Sequence, residues 1–158
     1  MQRTGFRVVS LAKDYLFGIA AAGVVQYLAA DVALTGSLVR QFAADAEQGV
    51  GYDFECLALL NVTGAGIVTT NVGITGGSPV MRQVQIAQTT ATVSEQRSVV
   101  GTGAQSIASS SLSTGTRSIL VRGSALKTTA SGILFIDFST GGPVTLLAGS
   151  TYRAFRTN

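Results

Sequence analysis

The chain has 158 residues, enough for one domain with a real core, or one domain with an appended arm. It is 46% hydrophobic and only 12% charged, against a usual charged share of roughly 25%. That composition excludes disorder and suits a chain whose surface is partly buried between subunits in its working state. The net charge of +3 comes from scarce acids rather than a basic run, since the arginines are scattered, so no specific nucleic-acid binding is expected.

Residues 1–17 mix Phe6, Arg7, Val8, Val9, Tyr15 and Phe17 with polar spacers. A helix through Val8 to Phe17 and an extended N-terminal arm fit equally well. An arm of this kind could lie along a neighbouring subunit, with Phe6, Arg7, Tyr15 and Phe17 as its anchors. The apolar run from Tyr15 to Ala30 is bounded by Asp14 and Asp31 and is shorter than the ~20 residues that span a bilayer. A signal peptide is the rival reading, because Arg3, Arg7 and Lys13 precede the run and Leu28-Ala29-Ala30 resembles a cleavage site. Gly5-Phe6 opens an apolar N-terminus as in bacterial pilins, but Ser10 stands where that family carries glutamate.

Residues 18–158 are expected to form one β-domain, with a weak subdivision near 88–116. Strands are predicted near 24–34 and 37–44, with a turn at Thr35-Gly36-Ser37. From Tyr52 the sequence alternates, with Tyr52, Phe54 and Cys56 on one face and Asp53 and Glu55 on the other. It then turns apolar on both faces from Leu57 to Leu60, as a strand does beneath a second layer. Ile67 to Val72 and Val80 to Ala87 are further strands, punctuated by Gly73 and Gly76-Gly77-Ser78-Pro79. The Ser/Thr/Gln/Gly-rich tract 88–116 still carries Val93, Val99, Val100 and Ile107, which predicts exposed strands with polar faces. Arg117 to Arg122, Ile133 to Phe138, Val144 to Leu147 and Thr151 to Phe155 read as a meander, with turns at Ser139 to Pro143 and Ala148 to Ser150. Short strands at this spacing predict an all-β sandwich or jelly-roll-like domain with an N-terminal arm or short helix.

Absences dominate the chemistry. There is no histidine, which removes the commonest general base and metal ligand. Cys56, the one cysteine, sits in an apolar run without a base partner and reads as core filler. The eight carboxylates are dispersed; Asp53 and Glu55 share a strand face, the arrangement of a glycosidase or calcium pair, but also of a plain solvent-facing edge. No phosphate loop is complete. No catalytic residue, cofactor or metal is expected, and an enzyme is the last choice. A carbohydrate module would have to lean on Tyr52 and Tyr152, there being no tryptophan.

The segments RSILVRGSALKTTASGILFIDF and GGPVTLLAGSTYRAF, residues 117–138 and 141–155, resemble small β-sandwich proteins of tailed-bacteriophage virions. The shared features are a strand of the Ile-x-Val-Arg kind, a glycine-bearing hairpin strand and a Leu-x-Ala-Gly turn into a final strand. The resemblance implies a virion component, a capsid decoration (cement) protein or a head–tail or tail adaptor, without choosing among them; the decoration subunit is the first reading. It would work as a homo-oligomer, with a trimer expected, held to partners such as the major capsid protein, with Arg153 and Arg156 as rim charges. A head–tail or tail adaptor, or a tail-associated receptor (carbohydrate)-binding module, is the alternative, and a bacterial surface-filament subunit the second alternative.

Overall fold

The computed structural model describes residues 23–157 with their side chains, and residues 6–10 and 14–18 as backbone strands. Among these residues there are fourteen strands and no helix. In chain order they are β1 (Phe6–Ser10), β2 (Asp14–Gly18), β3 (Gly23–Tyr27), β4 (Val32–Ala33), β5 (Val39–Ala46), β6 (Gly51–Val62) and β7 (Val68–Ile74). Then come β8 (Val80–Gln88), β9 (Ser94–Thr102), β10 (Gln105–Ala108), β11 (Gly115–Ala125), β12 (Gly132–Thr140), β13 (Val144–Leu146) and β14 (Thr151–Thr157).

Two antiparallel sheets form the sandwich. The large one runs β1-β2-β3-β14-β6-β11-β8-β9, with β13 and β4 added beside β6. The small one runs β10-β7-β12-β5. The tract 88–116 supplies β9 to the large sheet and β10 to the small one, so it ties the layers together. The segment expected as arm or helix is a β1–β2 hairpin, and β2 pairs with β3, so it extends the large sheet in its plane. The stretch 24–34 divides into β3 and β4, because Leu28 leaves the ladder to pair its N–H and C=O with the turn at Ser150 and Gly149. Gly73, expected as punctuation, lies inside β7, where a Cβ would stand 2.8 Å from Cζ of Phe135 on the next strand. Ser139 and Thr140 likewise continue β12 rather than turning.

Strand β6 organises the large sheet. One edge pairs with β11 from Tyr52 to Val62; the other is shared by β14 over Gly51 to Leu57 and by β13 over Leu60 to Val62. The gap is closed at Leu59, whose N–H donates to Ser150 Oγ at 2.9 Å and whose C=O accepts from Leu147 N at 2.8 Å. Gly149, at φ 85°, makes that turn possible. The inward residues of β6, from Tyr52 and Phe54 through Cys56 to Leu60, are buried against Leu134, Ile136 and Phe138 of β12. Tyr152 from the large sheet stacks on Phe42 from the small one, with ring centroids 5.8 Å apart.

Three buried glutamines from the large sheet solve the polar problem in two ways. Gln26 crosses to the outer edge of β5, where its Nε2 donates to Ala43 O at 2.5 Å and its Oε1 accepts from Ala43 N at 3.0 Å. Its amide thus completes a backbone pair that the edge of the small sheet would otherwise leave open inside the protein. Gln83 and Gln85 both donate to Thr70 Oγ1, at 2.8 and 3.0 Å, but their carbonyl oxygens have no partner. The two sites therefore respond oppositely to an apolar replacement. Gln26→Leu strands the Ala43 amide and should cost about 1–3 kcal/mol in urea unfolding, whereas Gln83→Leu removes an unpaired acceptor and should change stability by less than about 1 kcal/mol.

Candidate functional site

Directly paired residues of a sheet point to the same side, so the register of the ladders maps the outer face of the large sheet. One row crosses it as Tyr27, Thr151, Leu57, Leu120, Ile86 and Gln96. The next row is Val25, Arg153, Glu55, Arg122, Val84 and Ser98, and the one beyond it contains Phe155, Asp53, Ser124, Arg82 and Val100. The first row is mainly apolar, the next two mix apolar with charged side chains, and no described element is layered on this face. Tyr27 is 42% exposed, Leu57 37%, Phe155 38% and Val100 62%. The Phe155 ring lies over Gly23 of β3, where an added Cβ would come 2.8 Å from its Cδ1.

At the centre of this face sits an ion-pair triad. Glu55 accepts from Arg122 Nε at 2.6 Å through one oxygen and from Arg153 Nη2 through the other. The Arg153 hydrogen bond is the main reason the Glu55 carboxyl lies below its ordinary range; partial burial opposes it, and Arg122 adds to it. Asp53, two residues away, is exposed, so the pair of carboxylates forms no joint site: one is locked between guanidiniums and the other faces water. Cys56 is fully buried on the opposite side of the strand. Burial, and then the charge of Glu55, push its thiol far up, so it is held protonated and unreactive. Among the described residues no group of three or more carboxylates and thiols could hold a metal.

The outer face of the small sheet is different because its own side chains close it. A bulge on β5 lets Arg40, rather than Gln41, stand opposite Asp137. The Arg40 guanidinium lies 4.0 Å above the Phe135 ring and its Nε donates to Asp137 Oδ1 at 3.1 Å. Asn71 and Ser106 pair alongside, Ser106 Oγ donating to Asn71 Oδ1 at 2.9 Å. Asp137 thus has its arginine partner within its own chain.

Several sequence-level assignments can now be placed. Tyr52 and Tyr152, the proposed sugar platform, point inward and are buried, so they are core residues and not platform residues. Alternation assigned Tyr52 to its correct face, but which face met the second sheet was not written in the strand itself. Among the described residues the exposed aromatics are Tyr27 and Phe155, which lie on the neighbouring strands β3 and β14 at opposite ends of their pairing. Arg153 is held by Glu55 and Arg156 by Glu47, so both expected rim charges are ion-paired within the chain. The anchor roles expected of Phe6, Arg7, Tyr15 and Phe17 rest on side chains outside the described residues.

No protein-family model matches the chain, and no curated protein matches it. A solved structure with a similar course is the carbohydrate-binding module TmCBM61 in complex with β-1,4-galactotriose. It shares 12% identity and a TM-score of 0.34, over 89% of this chain and 95% of that one. A likeness at that level carries no functional argument.

The triad makes the outer face acid-sensitive. The Glu55 carboxyl is depressed below its ordinary 4.5 in the fold, so its contribution is complete above that pH and is lost as pH falls through the lowered value. Urea midpoints measured from about pH 6 down to about pH 3 should therefore fall less steeply in Glu55→Gln than in the parent protein.

Proposed function

We propose that this chain is a structural subunit of an assembled particle, and that the outer face of its large sheet is the surface it packs against another protein. The observation that carries the reading is the mismatch at Leu57 and Leu59. Over Leu57 to Leu60 their strand is apolar on both faces, yet the described strands supply a second layer for only one of them. Burying the outer leucines, Tyr27 and Phe155 against a partner would recover the hydrophobic gain that folding leaves unused, at roughly 25 cal/mol per Å². The low charge of the whole chain fits the same account.

The particle we infer is a tailed-bacteriophage virion, on the strength of the C-terminal segments described above, with the chain as a decoration (cement) subunit contacting the major capsid protein and further copies of itself. Mechanical reinforcement of this kind needs no catalytic group, only buried area across subunit joints.

Leu57→Asp combined with Leu120→Asp sets two carboxylates opposite each other, so it should keep the β-sheet circular dichroism and a cooperative melt at a somewhat lower midpoint. Co-sedimentation with phage heads lacking this chain should drop at least about tenfold, equivalent to roughly 1.4 kcal/mol. Unchanged co-sedimentation would remove the outer face from the reading, and no association of the parent protein with any head would remove the virion.

A second reading has one specific observation in its favour. Tyr27 and Phe155 are exposed aromatics on neighbouring strands of one face, and sugar rings stack their C–H faces on such surfaces while arginine and carboxylate groups nearby bind hydroxyls. Glycan-array binding that is lost in Tyr27→Ala and in Phe155→Ala would favour that reading; an array without signal would leave the packing face as the account of these residues.

A further inference from the structure

The large sheet ends in β9, a nine-residue strand whose far edge pairs with no strand among the described residues. Long open edges are normally blunted by proline, lysine or a bulge. β9 contains no proline and no lysine, and its register against β8 runs from Ser94 to Thr102 without a shift. We propose that this edge pairs antiparallel with the β9 edge of a second copy of the chain, about a two-fold axis passing between the two Gln96 residues. The proposal rests on the reading of the chain as an assembly subunit and names the contact between its copies.

The hydrogen-bonding phase of the strand comes first. Gly103 N donates to Pro79 O, and Thr89 N donates to Val93 O, so the odd-numbered residues of β9 are the ones bonded to β8. The even-numbered residues, Ser94, Gln96, Ser98 and Val100, therefore turn their N–H and C=O groups outward. A partner strand must match even residues with even residues, which permits only a few registers. A register centred on Arg97 sets Arg97 opposite its own copy, and one centred on Glu95 sets Glu95 opposite its copy; like charges directly opposed are destabilising. A register centred on Ser98 places Arg97 against Val99 and Glu95 against Gly101.

Centring on Gln96 alone resolves every position. Glu95 then faces Arg97 of the other copy, and Arg97 faces its Glu95. Val93, 53% exposed in the isolated chain, faces Val99, and Ser94 faces Ser98. The charged and valine pairs fall at the non-hydrogen-bonded positions, where facing side chains come closest. Glu95 is already set for this role. Ser110 donates to it through both its N–H and its Oγ, the latter at 2.7 Å, and Arg97 Nη2 lies 3.2 Å from its Oε2. Burial works against its ionisation, but the Ser110 and Arg97 contacts outweigh it and hold it charged. Its Oε1 accepts a single bond, from Ser110 N–H, and keeps a lone pair for the incoming guanidinium.

Cysteine trapping reads the register directly, because Cys56 is buried and a new surface thiol reacts alone. In the proposed contact the two Gln96 Cα atoms are about 5.5 Å apart, within disulfide range, whereas the two Ser98 Cα atoms are separated by about four residues of strand. Gln96→Cys should cross-link to a covalent dimer under mild oxidation, and Ser98→Cys should not. Gln96→Pro removes an N–H directed away from β8, so it should leave the fold intact and abolish the dimer in sedimentation velocity. Arg97→Glu should also give monomer, and Glu95→Arg with Arg97→Glu should restore the dimer. A monomeric parent protein at about 100 μM, equal cross-linking at 96 and 98, or a dimer indifferent to Gln96→Pro would overturn the edge contact. Such a result leaves the outer-face reading standing if Leu57→Asp with Leu120→Asp still lowers head binding. Unchanged head binding in that variant with the dimer intact separates the two in the other direction.

Discussion

Strand β6 is apolar on both faces over Leu57 to Leu60, while the chain has only enough further strands to lay a second sheet over one of them. Much of the rest follows from that shortage. The inward side chains bind the small sheet into a sandwich, and each buried leucine, isoleucine or phenylalanine there contributes about 1.5–3 kcal/mol. The outward ones cannot be withdrawn, because the period of a strand is two and a one-residue slip would expose the core instead. An apolar stretch on the outer face, at Leu57 and Leu59, is the consequence of building a wide sheet from a strand that is apolar on both sides there.

The charges on that face make sense in the same terms. Glu55 is clasped by Arg122 and Arg153 across three adjacent strands, so its charge is matched before any partner arrives. Pre-paired groups lose less when water leaves than an isolated carboxylate would. On the small sheet the reverse arrangement holds. Arg40 already covers Phe135 and pairs with Asp137, which leaves little apolar area for a partner. The molecule therefore has two unlike sides, one finished and one open.

Edges receive the same unequal treatment. The outer edge of β5 is capped from within by the amide of Gln26, and the break beside β6 is capped by Ser150. The β9 edge carries such a device only at its last residue, where Gln105 Nε2 donates to Thr102 O, and none over Ser94 to Val100. A β9–β9 contact would run the large sheets of two copies into one surface, so that their open faces lie side by side. Edge pairing and face packing would then act together, the first fixing the spacing of the copies and the second attaching them to a partner.

Alternation and turn chemistry in the sequence were enough to determine the all-β class, most strands from Tyr52 onward and the turn at Ala148 to Ser150. They were enough because a two-residue period and a glycine at positive φ are local properties. They also placed Asp53 and Glu55 together opposite Cys56. Strand lengths were less legible: Gly73 and Ser139 look like breaks, yet a neighbouring strand supplies the ladder bonds that carry β7 and β12 through them. Only the tertiary structure decided which face of β6 was covered. That choice turned Tyr52 and Tyr152 into core residues, left Tyr27, Leu57 and Phe155 outside, and tied Arg153 and Asp137 to partners within the chain. The physical reason is that a strand specifies two faces by itself, but burial is a property of the layer that lands on one of them, and that layer is assembled from residues distant in sequence.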